Sequence, residues 1–273
     1  MRFSDISTRL YTAIFFTAIV IGGLMIHEWT YFLLLLLISV FCGIELMKIL
    51  SGEKQNVLIF QVLLFCASPI VVAMMVQKGY LTDDSILWVT IFTACLLLFM
   101  ASLLFFVNTN SITKTSHGLF GMMYIGIPCL LAYRLGYVQG TFSYLPLLGI
   151  IPLIWANDTG AYLVGSAIGR RPLFPAVSPK KTIEGTLGGI LLTIAAAYPL
   201  SLLNNAFTWP QWSIIAAITG ITATMGDLVE SKIKRQYNIK DTGNYLPGHG
   251  GFLDRFDSFL YVVVFVYLYI QIS

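Results

Sequence analysis

Six polar residues stand at spacings that could do chemistry. In MGDLVESKIKR, Asp227, Glu230, Ser231 and Lys234 fall at i, i+3, i+4 and i+7, so a helix places all four on one face. In FLDRFDS, Asp254 and Asp257 are i and i+3 and follow the Gly250-Gly251 break. Two carboxylates so placed repel unless a cation sits between them. Oxygen ligands without a His cluster or a usable Cys point to a hard cation, and Mg²⁺ held by a few carboxylates usually shares its shell with substrate phosphates. Asp227, Asp254 and Asp257 would form such a site if the loop between them folds back. The plainer reading is that Asp254 and Asp257 sit in a first helical turn, against the positive end of its dipole. It accounts for their position but not for the charge density of Asp-Arg-x-Asp beside His249.

The turn PGHGG can take positive φ and present His249 and backbone N–H groups to an anion, although a Pro-Gly turn before a helix is also a common structural device. Earlier, GRRPLFPAVSPKKTIEG reads as a Ser178 N-cap with Pro179 at the first helical position. Lys180 and Lys181 then fall in the first turn, where phosphate oxygens could meet free N–H groups. Arg170 and Arg171 serve equally well as charge anchors. Asp158, in WANDTGAY, lies about ten residues from the nearer end of an apolar run, roughly 15 Å deep at 1.5 Å per residue. A lone carboxylate there is costly, so Asp158 is protonated, paired or lining a polar funnel.

The elements that must position these residues are membrane helices. The 273 residues are 57% hydrophobic and only 11% charged, with a mean hydropathy of +0.81, which excludes an ordinary soluble domain. Apolar runs long enough to cross a hydrocarbon core of roughly 30 Å occur near 10–26, 30–50, 57–77, 86–107, 117–138, 144–168, 186–204, 210–226 and 256–271. The expectation is an all-α polytopic integral membrane protein of about nine helices. Of sixteen Lys and Arg, all but Lys78 and Arg134 fall on one side if the N-terminus is cytoplasmic, which is the positive-inside asymmetry. Trp29, Trp88, Trp209 and Trp212 would then form an outer interfacial belt. Cys42, Cys66, Cys95 and Cys129 lie in apolar spans and read as reduced packing residues, with no disulfide or zinc site. The net charge of +3 is too small to argue for nucleic acid.

The division expected is a scaffold of spans over 1–140, offering little chemistry, and a catalytic region over 141–273 with charged cytoplasmic loops at 169–185 and 227–255. No internal repeat marks a transporter, yet a cation-coupled transporter using Asp158 is the alternative from another class. The aspartate pattern of CDP-alcohol phosphotransferases, at i and i+4 behind Asp-Gly and Ala-Arg pairs, is not met.

Ser231-x-Ile233-Lys234-Arg235, Lys240-Asp241, Gly243, Leu246-Pro247, His249-Gly250-Gly251 and Asp254-Arg255-x-Asp257 closely resemble the signature of the phosphatidate cytidylyltransferases, also called CDP-diglyceride synthases. GDLVES and SPKKTIEG extend the likeness over roughly 150–260, whereas the first five spans match only in hydrophobicity. The resemblance implies conversion of phosphatidic acid and CTP to CDP-diacylglycerol and pyrophosphate at a site open to the cytoplasm, in a protein of the cell (inner or plasma) membrane. It implies Mg²⁺ dependence, a second, monovalent cation such as K⁺, and a homodimer. On that analogy Asp227, Asp254 and Asp257 bind the metal, while Lys180, Lys181, Lys234, Arg235, His249 and Arg255 contact phosphate. Asp158 and Ser231 complete the expected substrate-binding set.

Overall fold

The computed structural model describes residues 3–51, 59–81, 111–243, 245 and 250–273. The span expected at 86–107, with Trp88 and Cys95, lies outside them, as does His249. The helices are α1 (Phe3–Met25), α2 (Glu28–Ser51), α3 (Ile59–Gln77), α4, α5 (Leu145–Ile168), α6 (Ile183–Leu203), α7 (Trp209–Gln236) and α8 (Leu253–Ile272). Helix α4 runs through Ser111–Gly121, a π-helical stretch Met122–Gly126 and Ile127–Leu135. Among the described residues seven helices are long and apolar enough to cross a membrane, and α1 adds a shorter apolar stretch, Ile14–Met25. The molecule is an all-α polytopic membrane protein whose one described sheet is a hairpin, β1 (Pro172–Phe174) and β2 (Ser178–Thr182), between α5 and α6.

Glycine sets the closest helix contacts. A Cβ on Gly160 of α5 would lie 2.9 Å from Gly188 O, and one on Gly185 of α6 would lie 2.8 Å from Ala161 O, so small residues facing one another bring the α5 and α6 backbones together. Gly226 does the same between α7 and α8, where a Cβ would stand 2.7 Å from Asp257 O. Because Gly226 precedes Asp227, this contact brings Asp227 and Asp257 to one place. Apolar residues of both halves of the chain share one buried cluster, from Tyr31 and Leu46 on α2 to Leu260 and Val263 on α8. Cys42, Cys66 and Cys129 are free and buried, as packing residues should be.

Three local expectations are corrected. Helix α6 begins at Ile183, capped by Thr182, whose Oγ1 accepts from Gly185 N at 3.1 Å; Ser178 and Pro179 lie in β2 instead. Gly185, in the first turn of this helix, fits closely against α5. Second, α7 continues to Gln236 and α8 begins at Leu253, so both ends of the expected loop 227–255 are helical. Lys234 and Arg235 end the helix against its negative pole. Third, Trp212 is no interfacial residue. It is fully buried, packs over Gly149 where a larger side chain would collide, and donates from Nε1 to Asn204 O at 3.1 Å. Trp29 and Trp209 are exposed, as a belt requires.

Candidate active site

Helix α7 supplies the polar stripe expected of it. Ser231 Oγ donates to Asp227 Oδ1 at 3.3 Å, and Lys234 Nζ donates to Glu230 Oε2 at 2.6 Å, both i, i+4 pairs. Helix α8 brings Asp257 against this stripe. Asp227, Glu230 and Asp257 can each direct one carboxylate oxygen so that the three lie within 4.8 Å of one another. Asp257 Oδ1 accepts from Ser258 N at 2.7 Å, which fixes the orientation of its carboxylate. Glu230 is 1% exposed and its Oε1 is buried without a protein partner. A buried carboxylate oxygen that no donor satisfies is costly, and here it belongs to an all-oxygen trio. The donor set fits a hard cation such as Mg²⁺.

Two lysines face the trio. Lys181, on β2, forms an ion pair with Asp227 Oδ2. Lys234 bridges, reaching Glu230 and, at 2.8 Å, Asp254 Oδ1. The strand explains why Lys180 and Lys181 part company: successive side chains of β2 point to opposite faces, so Lys181 turns to Asp227 while Lys180 is exposed. Asp254 is occupied differently from Asp257. Its Oδ2 accepts from Gly251 N at 2.8 Å and Thr242 N at 3.0 Å, so it fastens Thr242 and Gly251 to the start of α8. Of the three aspartates that the resemblance assigned to metal, Asp227 and Asp257 stand in this trio with Glu230, and Asp254 is joined to it through Lys234.

The remaining expected residues are placed as follows. Arg255 is exposed at the start of α8, and Arg235 is exposed at the end of α7, donating to Ile239 O at 3.4 Å. Arg170 and Arg171 bind through their backbone N–H groups to Glu184 Oε2, at 3.0 and 3.1 Å, tying the hairpin to α6. Asp158 is an exposed residue of α5 that lines the wall of a cleft. That cleft, of about 350 Å³, lies between α1, α2, α5 and α8. Its polar end holds Asp158, Asp254, Arg255 and Asp257, and it continues along Ile154, Ile151 and Leu147 of α5 between Phe16 and Leu24 of α1 and Leu35 of α2. From Asp158 to Leu147 is roughly 16 Å of helical rise.

Two residues escaped the sequence reading. Glu230 stood in the stripe but was given no role, because its apposition to Asp257 depends on how α7 and α8 pack. Glu45, on α2 in the region read as scaffold, is 1% exposed and accepts from Phe252 N at 2.9 Å and Leu253 N at 2.8 Å. The available signal was a lone carboxylate well inside an apolar span.

An acidic trio with two buried members, answered by lysines, on an all-helical membrane scaffold with an apolar cleft beside it, defines a membrane protein equipped to handle a charged group joined to an apolar one. The chain belongs to the cytidylyltransferase family, whose model matches residues 7–273. It is 47% identical over 116 residues to the phosphatidate cytidylyltransferase of Bacillus subtilis (strain 168), covering 42% of this chain and 43% of that protein. With the protein of the same name from Staphylococcus aureus (strain COL) it shares 37% identity over 164 residues, 57% of this chain and 59% of the relative. A third, from Staphylococcus haemolyticus (strain JCSC1435), aligns over 96% of both chains at 28% identity. The first two alignments thus span about half the length of those relatives.

Proposed function

We propose that this protein is a nucleotidyltransferase that moves CMP from CTP to phosphatidic acid, giving CDP-diacylglycerol and pyrophosphate for phospholipid biosynthesis. The observation that carries the reading is the continuity of the acidic, lysine-bearing cluster with an apolar cleft through Asp257, which belongs to both. A diacyl phosphate needs such a junction, with its chains among Leu, Ile and Phe and its headgroup at the carboxylates and lysines. Family membership and the names of the relatives agree with it.

In the reaction an oxygen of the phosphatidate monoester attacks the α-phosphorus of CTP. A new P–O–P bond forms, the α–β bridging bond breaks, and its electron pair leaves with pyrophosphate. A phosphate monoester has a second pKa of about 6, so the nucleophile is already largely dianionic near neutral pH and needs no general base. The obstacle is repulsion between anions, and the protein answers it by holding the reactants in line and offsetting their charge. Lys181 and Lys234 are fixed by carboxylates at the cluster and keep their ammonium groups pointing into it. Lys180, Arg235 and Arg255, exposed at the same end, are suited to meet triphosphate oxygens, and the cleft wall at Asp158 and Trp155 orients the lipid. Asp227, Glu230 and Asp257 would hold Mg²⁺, which supplies charge neutralisation at the transferring phosphoryl group when bound. A second, monovalent cation, a homodimer and a cell-membrane location with the site facing the cytoplasm belong to the same proposal.

The test is formation of CDP-diacylglycerol and release of pyrophosphate by the purified chain given phosphatidic acid, labelled CTP and Mg²⁺, with Asp257→Asn as control. Product from the wild type and none from the variant is expected. Folded, monodisperse wild-type protein without product, but with cation-driven flux in sealed liposomes, would favour the transporter alternative centred on Asp158.

A further inference from the structure

Glu45 is buried in α2, yet all its described hydrogen bonds reach the far end of the chain. Oε1 accepts from Phe252 N at 2.9 Å and Oε2 from Leu253 N at 2.8 Å. These are the N–H groups at the start of α8, where the N-cap residue Phe252 has no side-chain acceptor to offer. A carboxylate from 207 positions away performs the capping instead, and its negative charge suits the positive end of the helix. Thr242 Oγ1 lies 2.7 Å from Glu45 Oε2 and 3.1 Å from Asp254 Oδ2 and donates its one proton to one of them.

Two glycines close around this side chain. A Cβ on Gly251 would lie 2.7 Å from Glu45 Oε1, and one on Gly243 would lie 3.0 Å from Glu45 Cδ. Of the described glycines near this site only Gly250 has a positive φ, of 83°, so Gly243 and Gly251 are glycines for want of room. Two of the glycines in the motif 240–257 thus answer to a residue of the second helix.

We propose that Glu45 is a positioning residue for the acidic face of α8, holding Thr242 and the helix start at Phe252 and Leu253 so that Asp254 and Asp257 keep their places against α7. The inference rests on the reading of that face as part of the active site. Glu45 touches neither lysine nor the trio and acts only through the backbone it holds. The Glu45→Gln side chain keeps the size but turns an NH₂ group toward a backbone N–H, so one of the two caps is lost.

The experiment measures CMP transfer by purified wild type and Glu45→Gln in lipid-detergent micelles, with Mg²⁺ titrated and folded protein quantified by melting. Outer residues that orient metal ligands typically change affinity or activity roughly 10–100-fold. The expected result is therefore a fall in kcat per folded molecule, or a rise in the Mg²⁺ concentration for half-maximal rate, in that range, with KM for CTP changing much less. A merely structural cap would lower yield and melting temperature but leave kcat and the Mg²⁺ response of the surviving protein at wild-type values, and that outcome would overturn the inference. If Glu45→Gln does not fold, Glu45→Asp, which keeps the charge and shortens only the reach, is read by the same two outcomes. An inactive wild type would sink the functional reading and this inference together, whereas an active wild type matched by the variant would sink the inference alone.

Discussion

Asp257→Asn separates a functional carboxylate from a structural one by the sign of its effect on stability. Asp257 stands within 4.8 Å of oxygens of both Asp227 and Glu230. Two unit charges at that separation repel by about 3.5 kcal/mol at an effective dielectric near 20, and Asp257 meets two such neighbours. Lys181 on Asp227 and Lys234 on Glu230 offset much of this, leaving a net relief on neutralising Asp257 of about 1–3 kcal/mol. The amide is isosteric, and its Oδ1 still accepts from Ser258 N. In chelator, the melting temperature of Asp257→Asn should therefore rise, at roughly 2–4 °C for each kcal/mol. With Mg²⁺ the order should reverse, since the wild type gains binding energy that the variant cannot, and turnover by pyrophosphate release should fall at least about 100-fold. A variant that melts below wild type in chelator, or that turns over at the wild-type rate, would refute the assignment of Asp257 to a cation site.

Alternation along β2 predicts that Lys181→Ala lowers kcat at least about 10-fold, whereas Lys180→Ala acts mainly through KM for CTP; steady-state kinetics of both variants check the split, and equal effects would argue against it. Gly149→Val, which drives a branched side chain into the indole of Trp212, should destabilise the protein by about 1–3 kcal/mol while leaving turnover per folded molecule unchanged, as melting and activity measured on one sample will show. Thr182→Ala should remove the cap of α6 and cost about 1 kcal/mol, measured as a lowered melting temperature, with Lys181 as the nearest functional residue to report any shift of the hairpin.

What could be read along the chain and what could not divide on locality. Helix period follows from backbone geometry, so the stripe Asp227, Glu230, Ser231 and Lys234 and the pair Asp254 and Asp257 were legible from spacing, and hydropathy marked the apolar stretches of helices α1 to α8. Tertiary packing overrode weaker local signals. Ser178-Pro179 looks like a helix start, but those residues pair in β2, and the helix begins at Ile183 with Thr182 as its cap and Gly185 close against α5. Trp212 looks interfacial by its place near a span end, but Gly149 and Asn204 O make a buried slot for it.

The sequence by itself determined that this is a helical membrane protein with carboxylates and lysines gathered in its second half, because hydrophobic length and side-chain periodicity depend only on neighbouring residues. Only the tertiary structure decided that Glu230 joins Asp227 and Asp257 while Asp254 fastens a loop, and that Glu45 on α2 caps α8. Those assignments turn on which oxygen lies within reach of which donor across as many as 208 positions, a distance over which no local pattern specifies a partner.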